Sequence, residues 1–120
     1  DKHRMRANQV SSMQLIGEVA GRNVVIVDDI IDTGGTLAMA ANHIMDKGAA
    51  SVRAAITHPV LSGKAVENIE NSALSELLVT DTLPLGREST KIKALSVAPL
   101  FADALRKIHN YESVSSLFLN

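Results

Sequence analysis

The chain alternates short, continuous apolar runs with stretches in which apolar residues recur every three or four positions. Val24-Val25-Ile26-Val27, Val52-Arg53-Ala54-Ala55-Ile56-Thr57, Leu77-Leu78-Val79-Thr80 and Ala94-Leu95-Ser96-Val97 have the length and side-chain character of strands. The first is apolar throughout, as expected of a strand buried on both faces of a parallel sheet. Leu37, Ala40, Ala41, Ile44 and Met45 then share one helical face, and Gly48 stands where a left-handed cap would close it. Ser62 is placed to cap a short helix carrying Ala65, Val66 and Ile69. Pro99 suits a first helical turn, and Leu100, Phe101, Ala104, Leu105 and Ile108 form a stripe behind it. Met13, Leu15 and Val19 alternate with polar neighbours, the pattern of a strand at a sheet margin, while residues 86–93 read as a polar surface loop. Strands alternating with helices predict an α/β fold around a parallel sheet.

The chemistry gathers where the first apolar run meets the first helix, at Asp28-Asp29-Ile30-Ile31-Asp32-Thr33-Gly34-Gly35-Thr36. A strand, a glycine-hydroxyl turn and a helix N-terminus make an anion site: loop amides point outward, the helix dipole favours negative charge, and glycine admits a close ligand. Asp28, Asp29 and Asp32 would repel a bare phosphate unless sugar hydroxyls or Mg2+ lie between them and it, both being good partners for carboxylate oxygens. A ribose 5-phosphate group, phosphate at one end and vicinal hydroxyls at the other, satisfies both halves. The plainer alternative is an ordinary strand-turn-helix in which Thr33 or Thr36 caps the helix and the aspartates are merely solvated.

Composition narrows the rest. The 120 residues are 46% hydrophobic and 21% charged with a net charge of -1, which suits one soluble domain able to bury a core. Aromatics are 2% of the chain, so the core must be aliphatic. Without a basic excess, nucleic acid and anionic membranes are not expected as main partners. No apolar run is long enough to span a membrane, and Asp1-Lys2-His3-Arg4 is not a signal peptide. The lack of cysteine excludes disulfides and thiolate zinc sites and fits a cytoplasmic location.

The carboxylate-glycine stretch resembles the phosphoribosyl pyrophosphate (PRPP) loop shared by type I phosphoribosyltransferases and ribose-phosphate pyrophosphokinases. Three further stretches are similar to the pyrophosphokinases in particular. Lys2-His3-Arg4-Met5-Arg6-Ala7-Asn8 resembles their Lys-x-Arg-x-Arg-x-Asn catalytic arm, with Met5 where proline is usual. On residues alone, 1–9 is a basic, frayed terminus. Thr57-His58-Pro59-Val60-Leu61-Ser62-Gly63, followed by Ala65 and Glu67-Asn68-Ile69, is the second. His58 there reads more simply as a structural histidine than as a catalytic one. The third is Glu112-Ser113-Val114-Ser115-Ser116-Leu117-Phe118, similar to the ending of the phosphate-dependent members. Asp81 and Thr82, after the third predicted strand, are either a turn or a ligand contact.

The resemblance implies a parallel-sheet three-layer sandwich of the type I phosphoribosyltransferase kind. Residues 1–120 would be a single C-terminal domain, 1–9 its flexible catalytic arm, with the family's N-terminal domain lying outside them. It implies pyrophosphate transfer from ATP to the 1-hydroxyl of ribose 5-phosphate, giving PRPP and AMP for nucleotide biosynthesis. Lys2 and Arg4 would stabilise the transferred group. Asp28, Asp29, Asp32, Thr33, Gly34, Gly35 and Thr36 would hold ribose 5-phosphate, with Mg2+ reaching Asp28 and Asp29 through bound PRPP. Ser113, Ser115 and Phe118 would belong to a regulatory phosphate/ADP site between subunits of a homo-oligomer, a hexamer in full-length members. The fragment alone is expected to be inactive. The alternatives are a type I phosphoribosyltransferase, for which no base-recognition segment is evident, and a non-catalytic regulatory relative, in which the Lys-Arg and loop positions should be damaged.

Overall fold

A computed structural model describes residues 2–6, 9–13 and 17–117, the first two segments as backbone. Its centre is a four-stranded sheet in the order β3 (Asn23–Ile31), β4 (Ser51–Pro59), β5 (Glu76–Thr80), β6 (Ile92–Leu95), with every neighbouring pair parallel. Helix α1 (Gly35–Asp46) connects β3 to β4, and α2 (Ala65–Glu70) connects β4 to β5. Helix α3 (Ala98–His109) follows β6, and a short 3-10 turn spans Ser115–Leu117. This is the expected α/β fold. Every strand and helix read from the hydrophobic pattern of residues 24–108 is present, with shifted ends.

The shifts have local causes. β3 runs on through the aspartates to Ile31, because Ile30 and Ile31 pair with His58 and Pro59. β6 begins at Ile92 rather than Ala94, since Ile92 is its buried residue and pairs with Leu77. α1 closes as its glycine predicts: Gly48 lies at φ 94° and its N–H donates to the Met45 carbonyl at 3.0 Å. Ser62 does not cap α2 through its hydroxyl; Lys64 is the cap residue and the Ser62 side chain is engaged elsewhere. The far end of α2 is tied to β6 by Lys91, whose Nζ donates to the Glu70 and Ser72 carbonyls at 3.0 and 2.9 Å.

Residues in register on parallel strands share a face. One face carries Val52, Ala54 and Ile56 of β4, Leu77 and Val79 of β5 and Ile92 of β6, all buried. Leu37, Ala41 and Ile44 of α1 and Val66 and Ile69 of α2 complete that core. The other face is open among the described residues. Val25 and Val27 of β3 are 59% and 78% exposed, and Leu78 and Leu95 continue the apolar row beside them. The expectation that β3 is buried on both faces is therefore corrected: it is an edge strand of this sheet, covered on one side by helices. The described residues supply two of the three expected layers. Helix α3 likewise keeps Leu100, Phe101, Leu105 and Ile108 exposed.

The N-terminal stretch is not an unstructured arm throughout. Its backbone forms β1 (Lys2–Arg6), paired antiparallel with β2 (Gln9–Met13) in a separate two-stranded sheet. The marginal strand expected around Met13, Leu15 and Val19 is thus β2 for Met13 only. Val19 packs against the main core outside any strand, and Leu15 lies outside the described residues. No helix among the described residues is long and apolar enough to cross a membrane.

The two sheet faces should respond differently to mutation. Leu77→Ala is expected to cost about 2–5 kcal/mol by removing buried methyl groups, whereas Val27→Thr should change stability by less than about 0.5 kcal/mol. Urea denaturation of the two variants checks this contrast.

Candidate functional site

Because β3, β4 and β5 run parallel, their C-terminal ends and the loops that follow lie along one edge of the sheet, where open α/β sheets place ligands. That edge gathers Asp28 to Thr36 from the end of β3 through the start of α1, His58 to Ser62 from the end of β4 and the loop after it, and Asp81-Thr82 after β5.

Asp28 stands in register with Ile56, on the helix-covered face, yet is exposed because it lies near the strand's end. Its Oδ1 accepts the Asp29 N–H at 2.8 Å. Asp29 follows it and is exposed too, and the regular alternation of β3 ends here, since Ile30 is exposed and Ile31 is buried in the core. Asp32 begins the turn and its carboxylate accepts the Ser62 hydroxyl. Thr33 is exposed, Gly34 buried, and Gly35 and Thr36 partly buried in the first turn of α1.

Gly34 is the helix N-cap at φ 79°, a left-handed conformation that suits glycine. It offers no side chain to the helix, and no side-chain cap bond forms. Neither Thr33 nor Thr36 caps α1, which removes the plainer reading of those hydroxyls. The first helical N–H groups consequently have no intrachain acceptor from a cap, the arrangement that favours an anion. A Cβ at Gly34 would come within 3.4 Å of the Ala65 carbonyl and 3.5 Å of Ile69 Cδ1, whereas one at Gly35 would meet nothing within 4 Å.

No three carboxylate, imidazole or thiol groups among the described residues converge on a cation. Asp28 and Asp29 can contribute part of an oxygen shell, and a ligand's phosphates would have to contribute more, which matches how Mg2+ is commonly held.

Beyond the loop, His58 Nδ1 is 2.9 Å from Thr82 Oγ1, and the Thr80 hydroxyl donates to the Thr57 carbonyl at 2.7 Å. These bonds join the ends of β4 and β5. Asp81 has a structural partner as well: it accepts the Val97 N–H at 2.9 Å, at the start of α3. Hydrogen bonds from the Ser96 side chain and then from the Val97 backbone hold its carboxyl below the ordinary aspartate range.

The remaining predicted residues are separate from this edge in sequence. Lys2 and Arg4 lie on β1, described as backbone. Ser113 and Ser115 hydroxyls are 2.8 Å apart, and the Ser115 N–H donates to Ser113 Oγ at 3.2 Å, so the serine pair forms a local turn. Phe118 lies outside the described residues. Sequence reasoning missed Asn68, whose side-chain amide donates to the Thr33 carbonyl at 2.8 Å. A polar residue on a short helix carries no signal of such a contact.

The family described as "Phosphoribosyl synthetase-associated domain" matches residues 3–119. The chain is 55% identical over 119 residues to a ribose-phosphate pyrophosphokinase of Wolinella succinogenes, covering 99% of this chain and 38% of that one. It is also 55% identical over 123 residues to the enzyme of that name from Xylella fastidiosa strain 9a5c, again 38% of that protein. The chain belongs to the ribose-phosphate pyrophosphokinase family. Among solved structures, the phosphoribosylpyrophosphate synthetase from Mycobacterium smegmatis superposes with a TM-score of 0.78 at 37% identity, over 92% of this chain and 36% of that one. That likeness gives the chain a type I phosphoribosyltransferase-like fold. The chain spans a little over a third of the length of these relatives.

Gly34→Ala should lower stability by about 1–2 kcal/mol, the cost of a left-handed non-glycine residue. Gly35→Ala, helical and unhindered, should leave stability unchanged or raise it by about 1 kcal/mol; urea denaturation distinguishes them. The contact of Asp81 with α3 is present above the ordinary aspartate pKa and is lost as pH falls through the lowered folded value. The Val97 amide resonance should therefore titrate on the acid side of about pH 4, and Asp81→Asn should abolish that titration.

Proposed function

We propose that this chain is the ribose 5-phosphate-binding part of a ribose-phosphate pyrophosphokinase. In the whole protein the 1-hydroxyl of ribose 5-phosphate attacks the β-phosphorus of ATP in line. The bond between the β-phosphorus and the bridging oxygen breaks, AMP leaves, and the hydroxyl proton is lost, yielding PRPP. Such a transfer needs positioning and charge neutralisation more than covalent chemistry from the protein.

The observation that carries this reading is the joint geometry of the post-β3 edge. A left-handed Gly34 opens α1 with uncapped amides, directly after three exposed carboxylates. The amides of Thr33 to Thr36 would take the 5-phosphate, while Asp28 and Asp29 would accept hydrogen bonds from ribose hydroxyls. Asp28 and Asp29 would help hold Mg2+ when PRPP is bound, and the ion would supply neutralisation of phosphate charge. Lys2 and Arg4 would close over the transferred group. ATP would be held largely by residues outside this chain, which makes the isolated chain a binding unit without turnover. Ser113, Ser115 and Phe118 would serve phosphate and ADP as effectors at a contact between copies in a cytoplasmic homo-oligomer feeding nucleotide synthesis.

Calorimetric titration tests this reading. The pure chain should bind ribose 5-phosphate, and PRPP more tightly with Mg2+ than without, yet form no AMP from ATP. Asp29→Ala should weaken Mg2+-dependent PRPP binding about tenfold or more, the loss of a charge-assisted contact. Ser115→Ala should leave it unchanged. Steady turnover by the pure chain, or equal losses in both variants, would refute the assignment.

A further inference from the structure

We propose that the segment from Val60 to Asn68 aims the amides of the phosphate loop, and that Asn68 is the positioning residue for Gly34. Three successive carbonyls of that loop are held by this one segment. The Ile31 carbonyl accepts the Val60 and Leu61 N–H groups at 3.0 and 3.2 Å, and the Asp32 carbonyl accepts the Ser62 N–H at 3.1 Å. The Thr33 carbonyl accepts Asn68 Nδ2–H at 2.8 Å. All peptide bonds described are trans. In a planar trans peptide the C=O and the following N–H point in opposite directions. With the carbonyls of Ile31, Asp32 and Thr33 turned toward the β4–α2 segment, the N–H groups of Asp32, Thr33 and Gly34 are turned away from it. None of those three N–H groups has an acceptor among the described residues. Successive outward amides next to a left-handed residue form a concave anion cradle.

Two features show that the segment is shaped for this contact. Leu61 adopts φ 51°, a left-handed conformation that a leucine rarely takes, and in that conformation its own N–H and that of Ser62 reach successive carbonyls of the loop. The Ser62 hydroxyl, free of any capping duty, binds the Asp32 carboxylate, so the first residue of the turn is fixed through both side chain and backbone. Asn68 differs from the others in acting through its side chain alone. Its removal should free the 33–34 peptide to rotate while leaving the three backbone N–H contacts in place.

This inference rests on the proposed phosphate role for its ligand, but the amide orientation can be tested separately. Asn68→Ala should weaken ribose 5-phosphate and inorganic phosphate binding by about 2- to 10-fold, the net worth of one hydrogen bond. The thermal midpoint should be little changed, and without any ligand the Thr33 carbonyl-carbon and Gly34 amide resonances should both shift. Asn68→Asp, which places an acceptor against the Thr33 carbonyl, should bind more weakly still. Asn71→Asp, adding the same charge at exposed Asn71, should bind more tightly than Asn68→Asp. In the wild-type chain, phosphate should move the Thr33 and Gly34 amide resonances more than those of residues 60–68. Unshifted Thr33 and Gly34 resonances in Asn68→Ala would overturn the proposal, as would equal weakening by Asn68→Asp and Asn71→Asp. If the wild-type chain bound neither ribose 5-phosphate nor phosphate, the functional reading would fall, while the resonances of ligand-free Asn68→Ala would still decide the orientation.

Discussion

The site depends on the parallel pairing of β3 with β4 in the register Ile31 to Pro59. Parallel strands deliver both of their following loops to the same edge, and this register brings the chain after Pro59 alongside the chain after Ile31. The Val60 N–H on the Ile31 carbonyl is the last rung of that ladder, and the bonds to Asp32 and Thr33 continue it past the end of regular structure. A shift of one residue would present side chains of the opposite face to the core and move Ser62 away from Asp32. The hydrophobic rows Val52-Ala54-Ile56 and Leu77-Val79 therefore fix the loop indirectly, by fixing the register.

The placement of charge follows from the same geometry. Carboxylates close to a phosphate are unfavourable unless the phosphate is separately neutralised, and here the two functions occupy successive parts of one connection. The aspartates at 28 and 29 belong to the strand, and both are exposed near its end. The amides belong to the turn and to the uncapped start of α1. Asp32, the carboxylate nearest the amides in sequence, is engaged by Ser62 and so is directed toward the protein. This edge is left with unbonded amides in the turn and exposed carboxylates in the strand.

Much of this was readable from residue order. Periodicity gave the strands and helices, and the Thr-Gly-Gly-Thr residues marked the start of α1 because few residue types can fill a left-handed cap. What escaped the sequence were relations between segments distant in the chain. Ser62 fits a helix-cap pattern locally, but a carboxylate thirty positions away in sequence competes for its hydroxyl and wins. Asn68 has no local signature because its partner is a backbone carbonyl. Val24 to Val27 read as buried on both sides because apolarity alone cannot say whether a second layer is supplied by this chain. Asp81 looked like a candidate ligand contact, and its tie to Val97 makes it an anchor for α3.

The division of the sheet into a covered and an open face bears on what the chain can do by itself. Gly34 and the segment that holds the loop lean on the covered side: the nearest side chain to a Cβ at Gly34 is that of fully buried Ile69, and Leu61 packs against the same core. The exposed row of Val25, Val27, Leu78 and Leu95 lies across the sheet from these supports. Loop orientation is thus determined by packing within the described residues. The turn that begins at Asp32 is therefore held from the helix-covered side by the β4–α2 segment, independently of whatever covers Val25 and Val27.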